Sequence, residues 1–276
     1  MAELEVDDGT LWYEETGSGP PLVFVHGGWM DGDAWEPQVE RFADGHRVVT
    51  MDLRGHGRTG AIEPRRYSVD LFADDLERLV DHLALDDAVV CGLSLGNFVT
   101  QAFVDRHPDR LRAAVLGGPA RSIPPVDLPK WLKVAGNPEA GVRASLQLSG
   151  TKGTFRSMLT SVRAATGRPW LSVDQETRAQ AIESVGSISR SEYRKIFGAL
   201  YRYEPPALSH VSTPTLAIYG EAESPFVKRQ GRQIAAAVEE GTVRSIPDAA
   251  HLVNVDNPTA FNDAVSQFID SANAAS

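Results

Sequence analysis

The 276-residue chain has a single cysteine, Cys91, which excludes an internal disulfide framework. Cys91 closes the apolar run Ala88-Val89-Val90-Cys91 and reads as buried filler rather than as a reactive thiol. No apolar stretch approaches the roughly 20 residues that a membrane-spanning helix needs. The opening Met1-Ala2-Glu3-Leu4-Glu5-Val6-Asp7-Asp8 carries neither a basic nor an apolar segment, so no signal peptide and a cytoplasmic location are expected. Basic runs are missing and the formal net charge is −10, which argues against a nucleic-acid surface. There is no Cys/His cluster and no H-E-x-x-H, hence no metal signal. Without G-x-G-x-x-G or G-x-x-x-x-G-K-[ST] there is no nucleotide loop either, and no cofactor is expected. Oligomeric state leaves no signature in the sequence.

What is present is an ordinary globular balance, 42% apolar and 23% charged. Thr10 to Glu14, Leu22 to Val25, Arg47 to Met51, Ala88 to Cys91 and Arg112 to Leu116 read as strands. Between them, Ala34 to Phe42, Ser68 to Leu83 and Phe98 to Arg106 have helical spacing. In the second of these, Leu71, Phe72, Leu76, Leu79, Val80 and Leu83 share a face, with Asp74, Asp75, Glu77 and Arg78 expected away from it. Ser68 is placed to cap that helix. Such alternation predicts an α/β fold, a doubly wound and mostly parallel sheet covered on both faces.

From Pro119 the texture changes. No strand-like run appears before Thr215, and helical patches fall at Pro129 to Val134, Gly141 to Leu148, Thr154 to Ala165, Gln175 to Ser184 and Ser191 to Tyr201. The expected organisation is a core of residues 1–118 and 207–276, interrupted by a mainly helical cap at 119–206. After the cap, Leu216 to Tyr219 and Thr242 to Ile246 read as strands, and Lys228 to Val238 and Thr259 to Ile269 as helices. Ser271 to Ser276 look frayed.

Chemistry enters at Gly92-Leu93-Ser94-Leu95-Gly96, a G-x-S-x-G between a predicted strand and a predicted helix. In that context the pattern is a nucleophile elbow, a turn tight enough to hold the serine in a strained conformation with its hydroxyl exposed. A helix N-terminus behind the serine favours the negative charge that develops in acyl transfer. A serine hydroxyl needs a base. Of seven histidines, only His107, His210 and His251 follow Ser94. His107 ends the elbow helix and His210 precedes a strand, both on the wrong side of the sheet. His251 follows the last strand, in a loop at the carboxyl ends of the strands, where open α/β sheets bind ligands.

With these residues the chain resembles the α/β-hydrolase superfamily, in its small soluble esterase- and lactonase-like branch. His26-Gly27-Gly28-Trp29 resembles the oxyanion-loop motif, and Asp52-Leu53-Arg54-Gly55-His56-Gly57-Arg58-Thr59 resembles the D-x-R-G-x-G-x-S segment. The likeness covers nearly everything except the cap. It implies Ser94 as nucleophile and His251 as general base and then acid. It also implies an oxyanion hole of the Leu95 N–H with that of Gly28, or of Trp29 in the alternative loop register. The family's usual aspartate after the penultimate strand is replaced here, in Gly220-Glu221-Ala222-Glu223-Ser224-Pro225, by Glu223, with Glu221 as the alternative acid. The loop also reads as shortened. Asp52, Arg54 and His56 are expected to hold a turn, His26 to brace the oxyanion loop, and Asp256 to be structural. Asn97 has two open readings, a helix seam or the site itself. Trp29, Trp35, Trp131, Phe155, Met158 and Trp170 are candidates to line an apolar pocket, Trp29 foremost.

The resemblance implies hydrolysis of a small-molecule ester or lactone through an acyl-enzyme, with no nucleic-acid or membrane partner. Related serine enzymes also cleave carbon–carbon bonds or carry out perhydrolysis. The contrasting readings are a ligand-binding sensor with little turnover, motivated by the glutamate and the shortened loop, and a lyase using the same serine and histidine for proton transfer.

Overall fold

The computed structural model describes residues 2–63, 66–123, 136–167 and 169–275. Eight strands form one sheet: β1 (Ala2–Val6), β2 (Gly9–Thr16), β3 (Pro21–Val25), β4 (Arg47–Met51), β5 (Ala88–Leu93), β6 (Leu111–Gly117), β7 (Thr215–Gly220) and β8 (Gly241–Ile246). Their order is β1-β2-β4-β3-β5-β6-β7-β8. β1 and β2 are antiparallel to each other, and β2 to β4, and every later pair is parallel. All six residues of β5 are buried, as are all six of β7. Near-continuous apolar runs are what a parallel strand covered on both faces requires.

The helices of the core are α1 (Glu36–Phe42), α2 (Val69–His82) and α3 (Leu95–Arg106). Between β6 and β7 lie α4 (Glu139–Thr166), α5 (Gln175–Val185) and α6 (Arg190–Arg202). The chain closes with α7 (Pro225–Ala237), the short α8 (Val253–Asp256) and α9 (Pro258–Ala275). α2 and α3 pack together, α3 over β3, β5 and β6, while α1 packs with α9 to cover the other face. Ser68 caps α2 by accepting the Leu71 N–H.

The sheet's order reverses between β3 and β5, since β3 connects to β4 on one side and the later strands lie on the other. At such a switch point adjacent strands send their loops apart and leave a crevice at the carboxyl ends. The loops that leave here carry Gly28 and Ser94.

Two expectations change. Asp75 does not face away from the apolar stripe of α2 but is fully buried, its carboxylate held by Arg54 through Nε at 2.5 Å and Nη2 at 2.7 Å. A charge can occupy that face because its partner is buried with it. Gly141 to Leu148 and Thr154 to Ala165 stand as read, on the two stretches of α4 either side of a break at Gly150, whose φ of 68° and ψ of −171° suit glycine alone. Ser271 to Ala275 are not frayed but continue α9. The edge strand β1 and the single-turn α8 have no counterpart in the sequence reading. The patch at Pro129 to Val134 lies outside the described residues.

Candidate active site

Ser94 connects β5 to α3 with φ of 55° and ψ of −106°, a backbone conformation unusual for a side-chain-bearing residue. Its N–H donates to the Gly117 carbonyl at 2.9 Å, which fixes the turn against β6. The flanking glycines are required by contact. A Cβ on Gly92 would stand 2.1 Å from the Gly96 carbonyl oxygen, and one on Gly96 would stand 2.0 Å from that of Val25.

His251 Nε2 lies 3.0 Å from Ser94 Oγ, and His251 Nδ1 lies 2.6 Å from Glu223 Oε2. An ionised carboxylate only accepts, so Nδ1 carries the proton and Nε2 is left to accept from the serine hydroxyl. Both His251 and Glu223 are buried. Glu223 Oε1 accepts from the Ser224 N–H at 2.6 Å and from Trp170 Nε1 at 2.9 Å. Glu221, the alternative acid, is exposed and outside this network. Glu223 sits in a tight turn in which its N–H donates back to the Gly220 carbonyl at 3.0 Å.

Leu95 heads α3, so its N–H has no acceptor within the helix. The Gly96 N–H donates to the His26 carbonyl at 3.1 Å, pinning the loop after β3 to the start of α3. A Cβ on Gly28 would fall 3.7 Å from Leu95 Cβ, so Gly28 and Leu95 are neighbours beside Ser94. Trp29 follows with φ of 63°.

His26 is fully buried and braces this loop. Its Nδ1–H donates to the Gly27 carbonyl at 2.7 Å, and its Nε2 accepts the Leu53 N–H at 2.9 Å. Burial pushes its imidazole below the ordinary range, against the pull of Asp52. Burial alone would raise Asp52, but the Arg58 guanidinium, His26 and the N–H groups of Arg58 and Gly32 hold its carboxyl below the ordinary carboxylate range. Asp52 accepts from Gly32 N–H and Arg58 N–H, both at 2.7 Å, so the D-x-R-G-x-G segment serves as a structural knot. Burial, and then His26, pushes His56 down to about 3. Burial also raises the Cys91 thiol well above its usual value, in keeping with filler.

A cavity of about 440 Å³ opens on Ser94 and His251. Trp29, Phe98, Met158, Val162, Trp170 and Leu200 supply much of its wall. Trp35 does not line it. Trp35 is fully buried in the core and stacks on Phe24 at 4.7 Å. Phe155 stands behind Trp29, edge-on at 5.6 Å. Trp131 lies outside the described residues. Asn97 takes the seam reading, with Nδ2 donating to the Ala120 carbonyl at 3.0 Å and Oδ1 accepting from Gln101 at 2.9 Å. His107 and His210 are occupied elsewhere, by Glu77 at 3.2 Å and by the Asp105 carbonyl at 3.1 Å.

A family described as the alpha/beta hydrolase fold matches residues 20–258. The chain belongs to the α/β-hydrolase fold family. Among curated relatives of this hydrolase-fold chain, a non-heme chloroperoxidase of Kitasatospora aureofaciens is 39% identical over 122 residues, 44% of this chain and 43% of that protein. The 3-oxoadipate enol-lactonase 2 of Acinetobacter baylyi is 26% identical over 95% of this chain and 94% of its own. Among solved structures, a thermophilic esterase from Thermogutta terrifontis superposes with a TM-score of 0.83 at 22% identity, covering 99% of each chain.

Two contributors to the site went unread in the sequence. Gly118 packs beneath the imidazole, where a Cβ would come within 2.8 Å of His251 Cε1. Asp256 was read as structural, yet its reach was not visible: Oδ2 accepts the Ala250 N–H at 2.7 Å and the Val173 N–H at 3.1 Å, joining the His251 loop to the segment after Trp170. Gly118 has no local signal because it meets His251 far along the chain, and for Asp256 the hidden part is its bond to Val173, 83 residues earlier. The apolar stripe Ile196, Phe197 and Leu200 of α6 was open to periodicity, and Phe197 and Leu200 face the cavity.

Proposed function

We propose that this protein is a serine hydrolase that cleaves a small ester or lactone through an acyl-enzyme on Ser94. The observation that carries this reading is the hydrogen-bonded line Glu223–His251–Ser94 ending at an apolar cavity. Ser94 Oγ attacks the substrate carbonyl while His251 Nε2 takes its proton. The Leu95 and Gly28 N–H groups stabilise the tetrahedral oxyanion, a contribution of about 3 kcal/mol per donor in comparable sites. The imidazolium, held by Glu223, returns the proton to the leaving alkoxide, and the acyl-enzyme forms. Water then attacks with His251 again as base, releasing the acid and restoring Ser94. For a lactone the freed hydroxyl stays on the acyl chain throughout, and the second step releases a single hydroxy acid.

The relatives named as an esterase and an enol-lactonase support this chemistry without identifying the substrate. In this reading residues 119–206 act as a cap on a core of 1–118 and 207–276, and the tryptophan-lined cavity between them selects a small acyl group. The glutamate and short turn, which favoured a sensor reading, do not prevent a 2.6 Å bond to His251. A second reading follows from the chloroperoxidase relative. Hydrogen peroxide in place of water, as acceptor of the same acyl group, gives a peracid.

Steady-state hydrolysis of p-nitrophenyl butyrate by three variants tests the proposal. Ser94→Ala is expected to abolish turnover, and Glu223→Gln to lower kcat by about four orders of magnitude, as loss of the triad acid's charge does elsewhere. Glu221→Gln is expected to match the wild type. Equal activity of Ser94→Ala and wild type overturns the reading.

A further inference from the structure

The site's acid and base are touched by one residue that the family motifs do not contain. Trp170 lies in the segment that leads out of α4 toward α5. Its indole Nε1–H donates to Glu223 Oε1 at 2.9 Å. Its ring lies against the His251 ring, with centroids 4.2 Å apart and planes inclined by 34°. Its backbone carbonyl accepts the His251 N–H at 3.1 Å, and the next carbonyl, of Leu171, accepts the Leu252 N–H at 2.8 Å. Two residues further on, Ser172 Oγ donates to Asp256 Oδ1, while Asp256 Oδ2 holds the Val173 and Ala250 N–H groups. One stretch of the insertion is therefore fastened to Ala250, His251 and Leu252 of the loop.

We infer that Trp170 is a positioning residue that clamps Glu223 and His251 in register, so that the helical insertion completes the catalytic line. The physical need arises from the glutamate. Glutamate has one more rotatable bond than aspartate, so its carboxylate plane is less well fixed by the backbone. Among the described residues Oε2 meets His251 alone, and Oε1 is held from two directions by the Ser224 N–H and the Trp170 indole. With the carboxylate fixed, His251 is held to the tautomer that leaves Nε2 free for Ser94. The indole face beside the imidazole also favours the imidazolium formed in each proton transfer. Serine and histidine occur in motifs that can be read alone, whereas this clamp depends on an insertion residue 53 positions before the acid.

The proposal rests on the serine-hydrolase reading, and the test separates the two. Trp170→Phe keeps an aromatic ring and removes the N–H donor. It is compared with wild type, with Glu223→Ala and with the double variant, each checked for an unchanged urea midpoint between partners. For p-nitrophenyl butyrate, Trp170→Phe is expected to lower kcat about tenfold with KM within about twofold, since hydrogen bonds to charged groups are among the stronger ones. In the Glu223→Ala background the same substitution is expected to change the residual kcat less than about twofold, because its target is gone. An equal loss in both backgrounds makes Trp170 a pocket wall only and overturns the proposal, as does no loss in either.

A second readout needs no turnover. The low-field proton signal of His251 Nδ1–H in the resting protein is expected to broaden in Trp170→Phe, and an unaltered signal counts against the clamp. A wild type without esterase activity, whose signal still broadens in the variant, sinks the hydrolase reading and leaves the clamp standing.

Discussion

His56 sits 1% exposed beside His26, its ring centroid 4.8 Å away, and its Nδ1–H donates to the Arg54 carbonyl at 2.9 Å. The folded protein holds this ring neutral down to about pH 3. The unfolded chain binds the proton near 6.5, so it takes up more protons than the folded state throughout the interval between. Stability therefore falls as pH drops from about 6.5 toward 3. His56→Asn, whose amide keeps a donor for the Arg54 carbonyl, is expected to flatten the pH dependence of the urea midpoint below neutrality. An unchanged slope would show that other groups carry the acid sensitivity. The residue scale is also where the sequence was most informative for chemistry and least for environment. Ser94 and His251 were legible because a strained turn and a chain order mark them. Asp75 was misplaced because a helical wheel shows polarity but not a buried arginine 21 residues earlier in the chain. Trp35 was grouped with pocket residues because an indole alone does not say whether it faces a cavity or Phe24.

Elements were legible where burial repeats. β3, β5, β6 and β7 are apolar almost throughout because helices cover both faces, and the boundaries read from sequence fall within two residues of those observed. β1 escaped because an edge strand is buried on one side only, with Leu4 as its one buried residue. The break in α4 was legible, because Ser149 to Gly153, which hold Gly150, are mostly weak helix formers and separate the two patches read from sequence. The strand-turn-helix at Ser94 gives the sharpest prediction at this scale. Gly96→Ala drives a methyl toward the Val25 carbonyl oxygen, a backbone atom that cannot rotate aside. It is expected to cost about 3 kcal/mol of unfolding free energy, the upper end for overpacking a close contact. The control Gly45→Ala, which meets nothing within 4 Å, is expected to be neutral to within about 0.5 kcal/mol. Urea unfolding of both variants decides, and equal stability would mean that the elbow tolerates more room than its contacts allow.

Over the whole molecule, the sheet order carries the function. The reversal between β3 and β5 delivers the Gly28 loop and the Ser94 turn to one crevice, and β7 and β8 bring Glu223 and His251 to the same end. The insertion meets this end of the sheet at Trp29, which stacks on Tyr193 of α6 at 4.8 Å, and at Trp170 against His251. Among the described residues no helix is long and apolar enough to cross a membrane. The order of motifs along the chain made this arrangement legible, since strand, elbow, acid and histidine arrive in the sequence that a doubly wound sheet converts into one site. What the cavity accepts was not legible, because its walls come from α3, α4, α6 and α7 and from the segments that carry Trp29 and Trp170, and from no single run of sequence.

The central claim is a covalent acyl group on Ser94. Its most direct test is rapid-quench mass spectrometry of the protein mixed with p-nitrophenyl acetate, read together with the pre-steady-state release of p-nitrophenolate. The account predicts a burst approaching one equivalent of active protein, with an acetyl group on the peptide that carries Ser94 and neither burst nor acetyl in Ser94→Ala. Hydrolysis that proceeds equally well in Ser94→Ala, or an acetyl group carried only by another residue, would contradict it.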